Sequence, residues 1–283
     1  MNILVLLLFF AGCLGGFLAG LLGVGGGLIF IPILTYIFSH LFNLNNEEIV
    51  RYTLANSIAL VFISGVSGIY RQMRMKIYQP KKSLMIGIPG AISAALMSIG
   101  IQHSNWYNHD RFQWVFLLFL ILSILNMIFK KDLKNEENII ASTHKNKSFL
   151  KVFVGILAGA VVSLSGLGGG IIMVPLFRMI LKLNIRESTA LSLSVVPILS
   201  FLPLLSYIAN PNFTILQVSN SNIFQTGYIT WPYFLPMALG VIIFSSLGQK
   251  IAPITPSIFI RVIFALLSSI ILIKSIYEIY SSY

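Results

Sequence analysis

The chain has 283 residues, of which 57% are hydrophobic and only 10% charged, and its mean hydropathy is +0.88. A soluble domain is usually about a quarter charged, so this composition excludes an ordinary soluble globular protein. The net charge of +11 does not indicate a nucleic-acid partner, because the basic residues gather in short loops between apolar runs, as the positive-inside rule describes. A single cysteine, Cys13, excludes an internal disulfide and a thiolate metal site.

The apolar runs predict membrane-spanning helices. Several approach or exceed the roughly 20 residues that a helix needs to cross a bilayer, and none alternates in polarity as the strands of a barrel would. Backbone polar groups in hydrocarbon must be satisfied internally, which leaves helices as the spanning structure. The fold class is therefore an all-α integral membrane protein.

An internal repeat organises the chain. The segment Gly12–Leu34 aligns without a gap with Gly155–Phe177, and ten of the 23 positions are identical. The identical positions include three consecutive glycines and one proline in each copy, which are Gly25, Gly26, Gly27 and Pro32 in the first and Gly168, Gly169, Gly170 and Pro175 in the second. Farther along, Arg51, Ala55 and Ser57 fall opposite Arg186, Ala190 and Ser192.

Each half is predicted to begin with a glycine-broken pair of helical segments and to continue with three full spans. The sequence does not decide whether the broken pairs are re-entrant or cross fully. The predicted domains are a first transmembrane repeat at residues 1–130, a cytoplasmic linker at 131–148 and a second transmembrane repeat at 149–283. The predicted spans are Tyr52–Tyr70, Leu84–Ile101 and Phe112–Phe129, then Ser188–Ile208, Tyr228–Gln249 and Ser257–Ile276.

Because three is an odd number, the second half is predicted to insert with inverted topology. With the basic linker in the cytoplasm, sixteen Lys and Arg residues lie inside and three outside, which agrees with the positive-inside rule. Both termini are then periplasmic. Inverted repeats with Gly/Pro-interrupted segments at matching positions indicate a secondary transporter with its binding site near the midplane, although some channels and membrane enzymes also contain repeats.

The two glycine-rich segments carry a family resemblance. Residues 16–32 read GFLAGLLGVGGGLIFIP and residues 159–175 read GAVVSLSGLGGGIIMVP. In these segments and their spacing, the chain resembles the TauE/SafE sulfite-exporter family of membrane permeases. The resemblance implies transport of sulfite, sulfate, thiosulfate or a small organosulfonate across a bacterial inner (plasma) membrane. Such proteins often have a small-Thr-Ser step after the first broken pair, where this chain has Ala55-Asn56-Ser57, so Asn56 is expected to alter selectivity.

The glycine triplets are the predicted anion site. Three consecutive glycines cost a helix about 1 kcal/mol each relative to alanine, so Gly25 to Gly27 and Gly168 to Gly170 indicate breaks rather than ordinary spans. A break frees backbone N–H groups, and the helix that follows it presents a partial positive charge to an anion. Glycines spaced by four, Gly12, Gly16 and Gly20, instead predict close helix packing.

Further residues are assigned around the breaks. Arg51 and Arg186 are expected as paired entrance charges that gate the site, although snorkelling to the interface is the simpler interpretation. Pro32 and Pro175 are expected to interrupt their helices as kinks and not to contact the substrate. Neutral donors are expected to complete the site, with hydrogen bonding between helices as the alternative role; they are Asn56, Ser57, Ser165, Ser192 and Ser194.

No Asp, Glu or His is predicted at mid-membrane, so proton coupling is not supported and no cofactor or metal is expected. The function predicted is a permease that exports a small sulfur-containing anion and is not an enzyme. An importer of organosulfur anions, a membrane-embedded enzyme and an accessory subunit are the alternatives. The sequence does not determine the anion or the oligomeric state.

Overall fold

The computed structural model of the protein describes residues 2–23, 25–104, 106–129, 147–181, 183, 185–218, 221–252, 254–256, 262, 265–266 and 268–276. The predicted linker 131–148 lies outside these residues except for its last two positions, which begin a helix.

Helices make up most of the described structure. They are α1 (Asn2–Leu22), α2 (Gly27–His40), α3 (Asn46–Arg74), α4 (Pro80–His103), α5 (His109–Phe129), α6 (Lys147–Ser165), α7 (Gly170–Met179), α8 (Ile185–Ala209) and α9 (Trp231–Ile251). Helical residues also lie between positions 262 and 276. Between α8 and α9, the strands β1 (Gln217–Val218) and β2 (Ser221–Asn222) form one antiparallel pair, and β3 (Gln225–Thr226) and β4 (Ile229–Thr230) form another.

Among the described residues, six helices are long and apolar enough to cross a membrane, namely α1, α3, α4, α6, α8 and α9. The all-α membrane fold is therefore confirmed. In contrast, α2 has 14 residues and α7 has 10, which at 1.5 Å per residue gives about 21 and 15 Å, short of the roughly 30 Å hydrocarbon core. Each glycine-broken pair thus has one long arm and one short arm.

The short arm folds back on the long one. A Cβ built on Gly26 would lie 2.6 Å from the carbonyl oxygen of Gly15 and 2.8 Å from the ring of Phe30, so the start of α2 lies against the middle of α1. In the second half, a Cβ on Gly169 would lie 2.7 Å from the side chain of Val162 on α6. Both pairs are therefore hairpins that turn at their glycines.

The first helix of each half packs chiefly against a helix of the other half. The glycine row of α1 lies on α9, where a Cβ on Gly16 would come within 2.7 Å of Val241 Cα. Likewise α6 lies on α4, where a Cβ on Gly90 would come within 2.6 Å of the carbonyl oxygen of Gly155. The packing role predicted for the α1 glycines is confirmed, since only a hydrogen fits at these contacts.

Helices α3 and α8 cross at the centre. In their most apolar stretches 78% of the residues of α3 and 61% of those of α8 are buried, against 39% for α4. Their contacts run antiparallel, because Phe62 meets Phe201 with ring centroids 6.0 Å apart and Gln72, farther along α3, donates a 2.8 Å hydrogen bond to Ala190 O near the start of α8. These central helices carry the side chains that contact the breaks.

Candidate functional site

The two breaks, at residues 23–26 and 166–169, have glycines in the same left-handed conformation, with positive φ angles at Gly23, Gly25 and Gly26 and at Gly166, Gly168 and Gly169. The φ angles of Gly25 and Gly26 are 84° and 79°, and those of Gly168 and Gly169 are 82° and 69°. Residues with a Cβ rarely adopt this left-handed conformation, so the glycines let the chain reverse direction here. Helix α2 then begins at Gly27, and α7 begins at Gly170.

The breaks contact each other directly. A Cβ on Gly25 would lie 3.3 Å from Gly168 Cα, and a Cβ on Gly27 would lie 2.6 Å from the carbonyl oxygen of Gly166. The backbones approach so closely that no side chain larger than hydrogen fits between them. The glycine triplets, more than 140 positions apart in the sequence, therefore meet at one point of the fold.

One serine on each central helix links that helix to the break of the other half. Ser57 Oγ on α3 donates a 2.8 Å hydrogen bond to Gly166 O, and Ser192 Oγ on α8 donates a 2.8 Å hydrogen bond to Gly23 O. Both serines are fully buried. The sequence predicted both residues at the site, and the structure shows them bound to break carbonyls.

The starts of α2 and α7 contribute partial positive charge at the breaks. The first turns of α2 and α7 leave N–H groups without an intrahelical partner, and the positive ends of both helix dipoles lie at the contact between the breaks. Within the described part of the chain, the N–H groups of Gly25 and Gly168 form no hydrogen bond. An anion placed between separated breaks would therefore find backbone donors from both halves.

Two other predicted serines, Ser165 and Ser194, each donate to a nearby backbone carbonyl. Ser165 Oγ donates to Val161 O at 2.7 Å and accepts a 3.3 Å hydrogen bond from the N–H of Leu167, so it supports the start of the second break. Ser194 donates to Leu191 O at 2.9 Å and forms a 2.8 Å hydrogen bond with Ser83 of α4. Ser194 therefore connects two helices in this conformation.

Asn56 anchors the segment between α8 and α9. Its Nδ2 donates to Tyr52 O at 2.8 Å and to Tyr228 O at 3.0 Å, while its Oδ1 accepts from the N–H and the hydroxyl of Thr230 at 3.1 and 3.0 Å. Both amide hydrogens and two acceptor positions are thus used. A direct bond from Asn56 to an anion would require this segment to move.

The predicted gate and helix-break residues are placed as follows. Arg51 lies in the second turn of α3 and interacts electrostatically with Tyr207 of α8, whereas the side chain of Arg186 lies outside the described residues. Pro32 and Pro175 lie at the sixth positions of α2 and α7. Both helices continue past these prolines, so neither proline ends its helix, and the kink expected at each position stays a prediction.

Sequence reasoning missed Tyr107, which lies in the connection between α4 and α5. Its hydroxyl donates a 2.5 Å hydrogen bond to Leu164 O, just before the second break. Burial raises the pKa of this phenol, so Tyr107 stays protonated and remains a donor at neutral pH. A lone tyrosine in a loop carries no sequence signal for such a contact.

Metal ligation is not indicated by the geometry. Across the described ranges, no three His, Cys, Asp or Glu side chains lie close enough together to hold a metal ion.

Comparisons with known proteins give one consistent result. The family model described as "Sulfite exporter TauE/SafE" matches residues 8–275. A protein of Methanocaldococcus jannaschii named "Probable membrane transporter protein" is 30% identical over 256 residues, covering 89% of each chain. A similarly named Bacillus subtilis protein, YunE, is 22% identical with 85% of each chain covered, and one from Haemophilus influenzae is 25% identical with 87% covered. No solved structure matches the chain significantly.

Proposed function

Because the chain belongs to the TauE/SafE sulfite-exporter family and is a multi-pass membrane transporter, we propose that it exports a small sulfur-containing anion across the bacterial inner membrane. The substrate class is sulfite, sulfate, thiosulfate or a small organosulfonate. The chain acts as a permease and not as an enzyme, and it needs no cofactor.

The observation that carries this proposal is the direct contact between two glycine breaks, one from each half. Two helices start there, α2 and α7, and each offers unbonded N–H groups and a positive dipole end. Neutral backbone donors suit a transported anion, since binding must be strong enough to admit it and weak enough to release it. An oxyanion with several acceptor oxygens can take donors from both breaks at once.

The arrangement of the helices supports two inverted halves as the transport machinery. Helices α3 and α8 occupy the same place in the repeat and run antiparallel, and the first helix of each half packs on the other half. In the proposed orientation the linker 131–148 is cytoplasmic, both termini are periplasmic, and residues 1–130 and 149–283 are the two repeats. Separation of the breaks toward either face would open the site to that side.

The proposed direction, export, is the direction in which the membrane potential drives an anion. An inside-negative potential favours the exit of an anion by about 2.3 kcal/mol per charge per 100 mV, so no proton relay is needed. An importer of organosulfur anions would use the same site with a coupling ion. Flux measured with the potential in each direction separates the two.

Proteoliposomes loaded in turn with sulfite, sulfate, thiosulfate or taurine test the proposal. The variant Gly27→Ala should lose most of the flux while the protein still folds, because its methyl group would lie 2.6 Å from Gly166 O and displace one break from the other. Gly100→Ala is the matched control, because a Cβ at this helical glycine has no neighbour within 4 Å.

Saturable flux of one anion that Gly27→Ala abolishes and Gly100→Ala preserves would support the proposal. Absence of flux for all four compounds under either sign of potential would overturn it and would favour an enzymatic or accessory role.

A further inference from the structure

Two buried hydroxyls without a hydrogen-bond partner occupy equivalent positions in the two halves. They belong to Thr53 on α3 and Ser188 on α8, and both side chains are fully buried. The alignment that pairs Arg51 with Arg186 and Ser57 with Ser192 also pairs these two residues. A buried polar group that stays unsatisfied costs free energy, so a matched pair of them requires an explanation.

The helix backbone offers such hydroxyls a simple solution that they do not use. A helical Ser or Thr commonly donates to the carbonyl four residues earlier. Ser83 and Ser165 do so here, at 3.1 and 2.7 Å. The hydroxyl of Thr53 does not do so, and among the described residues neither it nor the hydroxyl of Ser188 has a hydrogen-bond partner.

The turn of α3 that carries Thr53 packs on the second break. Ser57, one turn later on the same face, donates to Gly166 O, and a Cβ on Gly166 would lie 2.9 Å from the side chain of Leu54. Thr53 therefore lies between the bonded serine and the end of α3 that carries Arg51.

The turn of α8 that carries Ser188 packs on the first break in the same way. Ser192 donates to Gly23 O, and a Cβ on Gly23 would lie 2.6 Å from Thr189 O. Ser188 lies between that serine and the end of α8 that carries Arg186. The two unbonded hydroxyls thus lie on opposite sides of the joined breaks, because α3 and α8 run antiparallel.

We infer that Thr53 and Ser188 are substrate-binding residues that donate their hydroxyls to a small oxyanion on either side of the glycine breaks. This inference rests on the proposed function and extends its site from the backbone donors to one side-chain donor in each half. An oxyanion supplies the acceptor that the protein withholds from both hydroxyls. Ser57 and Ser192 hold the breaks, while Thr53 and Ser188 contact the anion as it enters or leaves.

The test uses the purified full-length protein with ³⁵S-labelled sulfite, sulfate and thiosulfate, measured by equilibrium dialysis in detergent and by flux in proteoliposomes. Thr53→Val and Ser188→Ala should each weaken binding roughly 10-fold, as expected when a hydrogen bond to a charged group is removed. Their melting temperatures should stay equal to or above that of the wild type, because each variant removes an unsatisfied buried group.

Two controls separate ligand binding from packing. Thr53→Ser keeps the hydroxyl and should bind like the wild type. Ser200→Ala removes another buried hydroxyl without a partner on α8, but its repeat position in the first half is Gly65, so it should leave binding unchanged. If Thr53→Val fails to fold, Ser188→Ala decides the result.

If both variants bind as tightly as the wild type, or if Ser200→Ala weakens binding equally, the inference is overturned. Flux by the wild-type protein would then still leave the proposed function in place. A wild type that binds the anion but shows no flux, together with weakened binding in both variants, would support Thr53 and Ser188 as ligands and refute transport. A wild type that neither binds nor carries these anions would refute both.

Discussion

The glycines of α1 and the glycines of the breaks are close neighbours in the sequence, but they differ in backbone conformation and in what contacts them. Gly12, Gly16 and Gly20 are helical and lie against the backbone of α9. Gly25 and Gly26 have left-handed φ angles and lie where two chain reversals meet. Spacing by four residues therefore marks helix packing, whereas consecutive glycines mark the break.

The difference also concerns polar groups. At the α1–α9 contact the backbone groups of both helices are used within the helices, so nothing remains for a ligand. At the breaks the helices α2 and α7 begin, and their first N–H groups lack intrahelical partners. A close backbone contact thus becomes a candidate site only where helices begin.

The largest effect is expected from Gly16→Leu, which tests the packing side of this comparison. A Cβ at this position would come within 2.7 Å of Val241 Cα, and backbone atoms cannot yield as a flexible side chain can. Overpacking of this kind costs about 1–3 kcal/mol or more. Most of the protein should fail to elute as a folded species in fluorescence-detected size-exclusion chromatography. A normal elution profile would contradict the tight α1–α9 contact.

A smaller loss of stability with a larger loss of flux is expected from Gly25→Ala, which tests the break. A left-handed alanine costs about 1–2 kcal/mol, and its methyl group would lie 3.3 Å from Gly168 Cα. The protein should therefore fold with a lowered melting temperature, and flux per folded molecule should fall more than it does in Gly16→Ala. Equal flux per molecule in these two variants would remove the distinction between the two sets of glycines.

The smallest effect is expected from Ser57→Ala and Ser192→Ala, which compare the two breaks with each other. Each variant removes one 2.8 Å hydrogen bond to a break carbonyl, with a net cost of about 1 kcal/mol. The two melting temperatures should fall by similar amounts because the bonds are equivalent in the two halves. A large difference between them would show that the halves are held unequally.

Much of the fold followed from hydropathy and the repeat. The glycine triplets marked the position of both breaks, and four of the predicted spans overlap the spanning helices α3, α4, α8 and α9, although α9 begins at Trp231 and not at Tyr228. The predicted span Phe112–Phe129 lies in the helix α5, which is not among the six described helices that are long and apolar enough to cross. The chain turns at the glycines of the breaks and not at the prolines, since Pro32 and Pro175 lie inside the helices that follow the breaks. Local sequence does not reveal which of two adjacent helix-disfavouring signals dominates.

The side chains of the site were harder to predict. Ser57 and Ser192 bind the break of the opposite half, a contact that depends on how the halves pack and not on neighbouring residues. Asn56, one residue earlier, points to the segment before α9 because adjacent residues of a helix face different directions. Thr53 and Ser188 could have been found by extending the repeat alignment back one turn from the serines.

The exchange of first helices between the halves has a consequence for biogenesis. Helix α1 is synthesised before its main partner, α9, and more than 200 positions separate the two in the sequence, whereas α6 finds α4 already in place. Helix α1 must therefore wait in the bilayer, with its glycine row uncovered, until α9 has been inserted. Quality control that recognises unassembled helices would encounter nascent copies of this chain in that state, which makes α9 decisive for their survival.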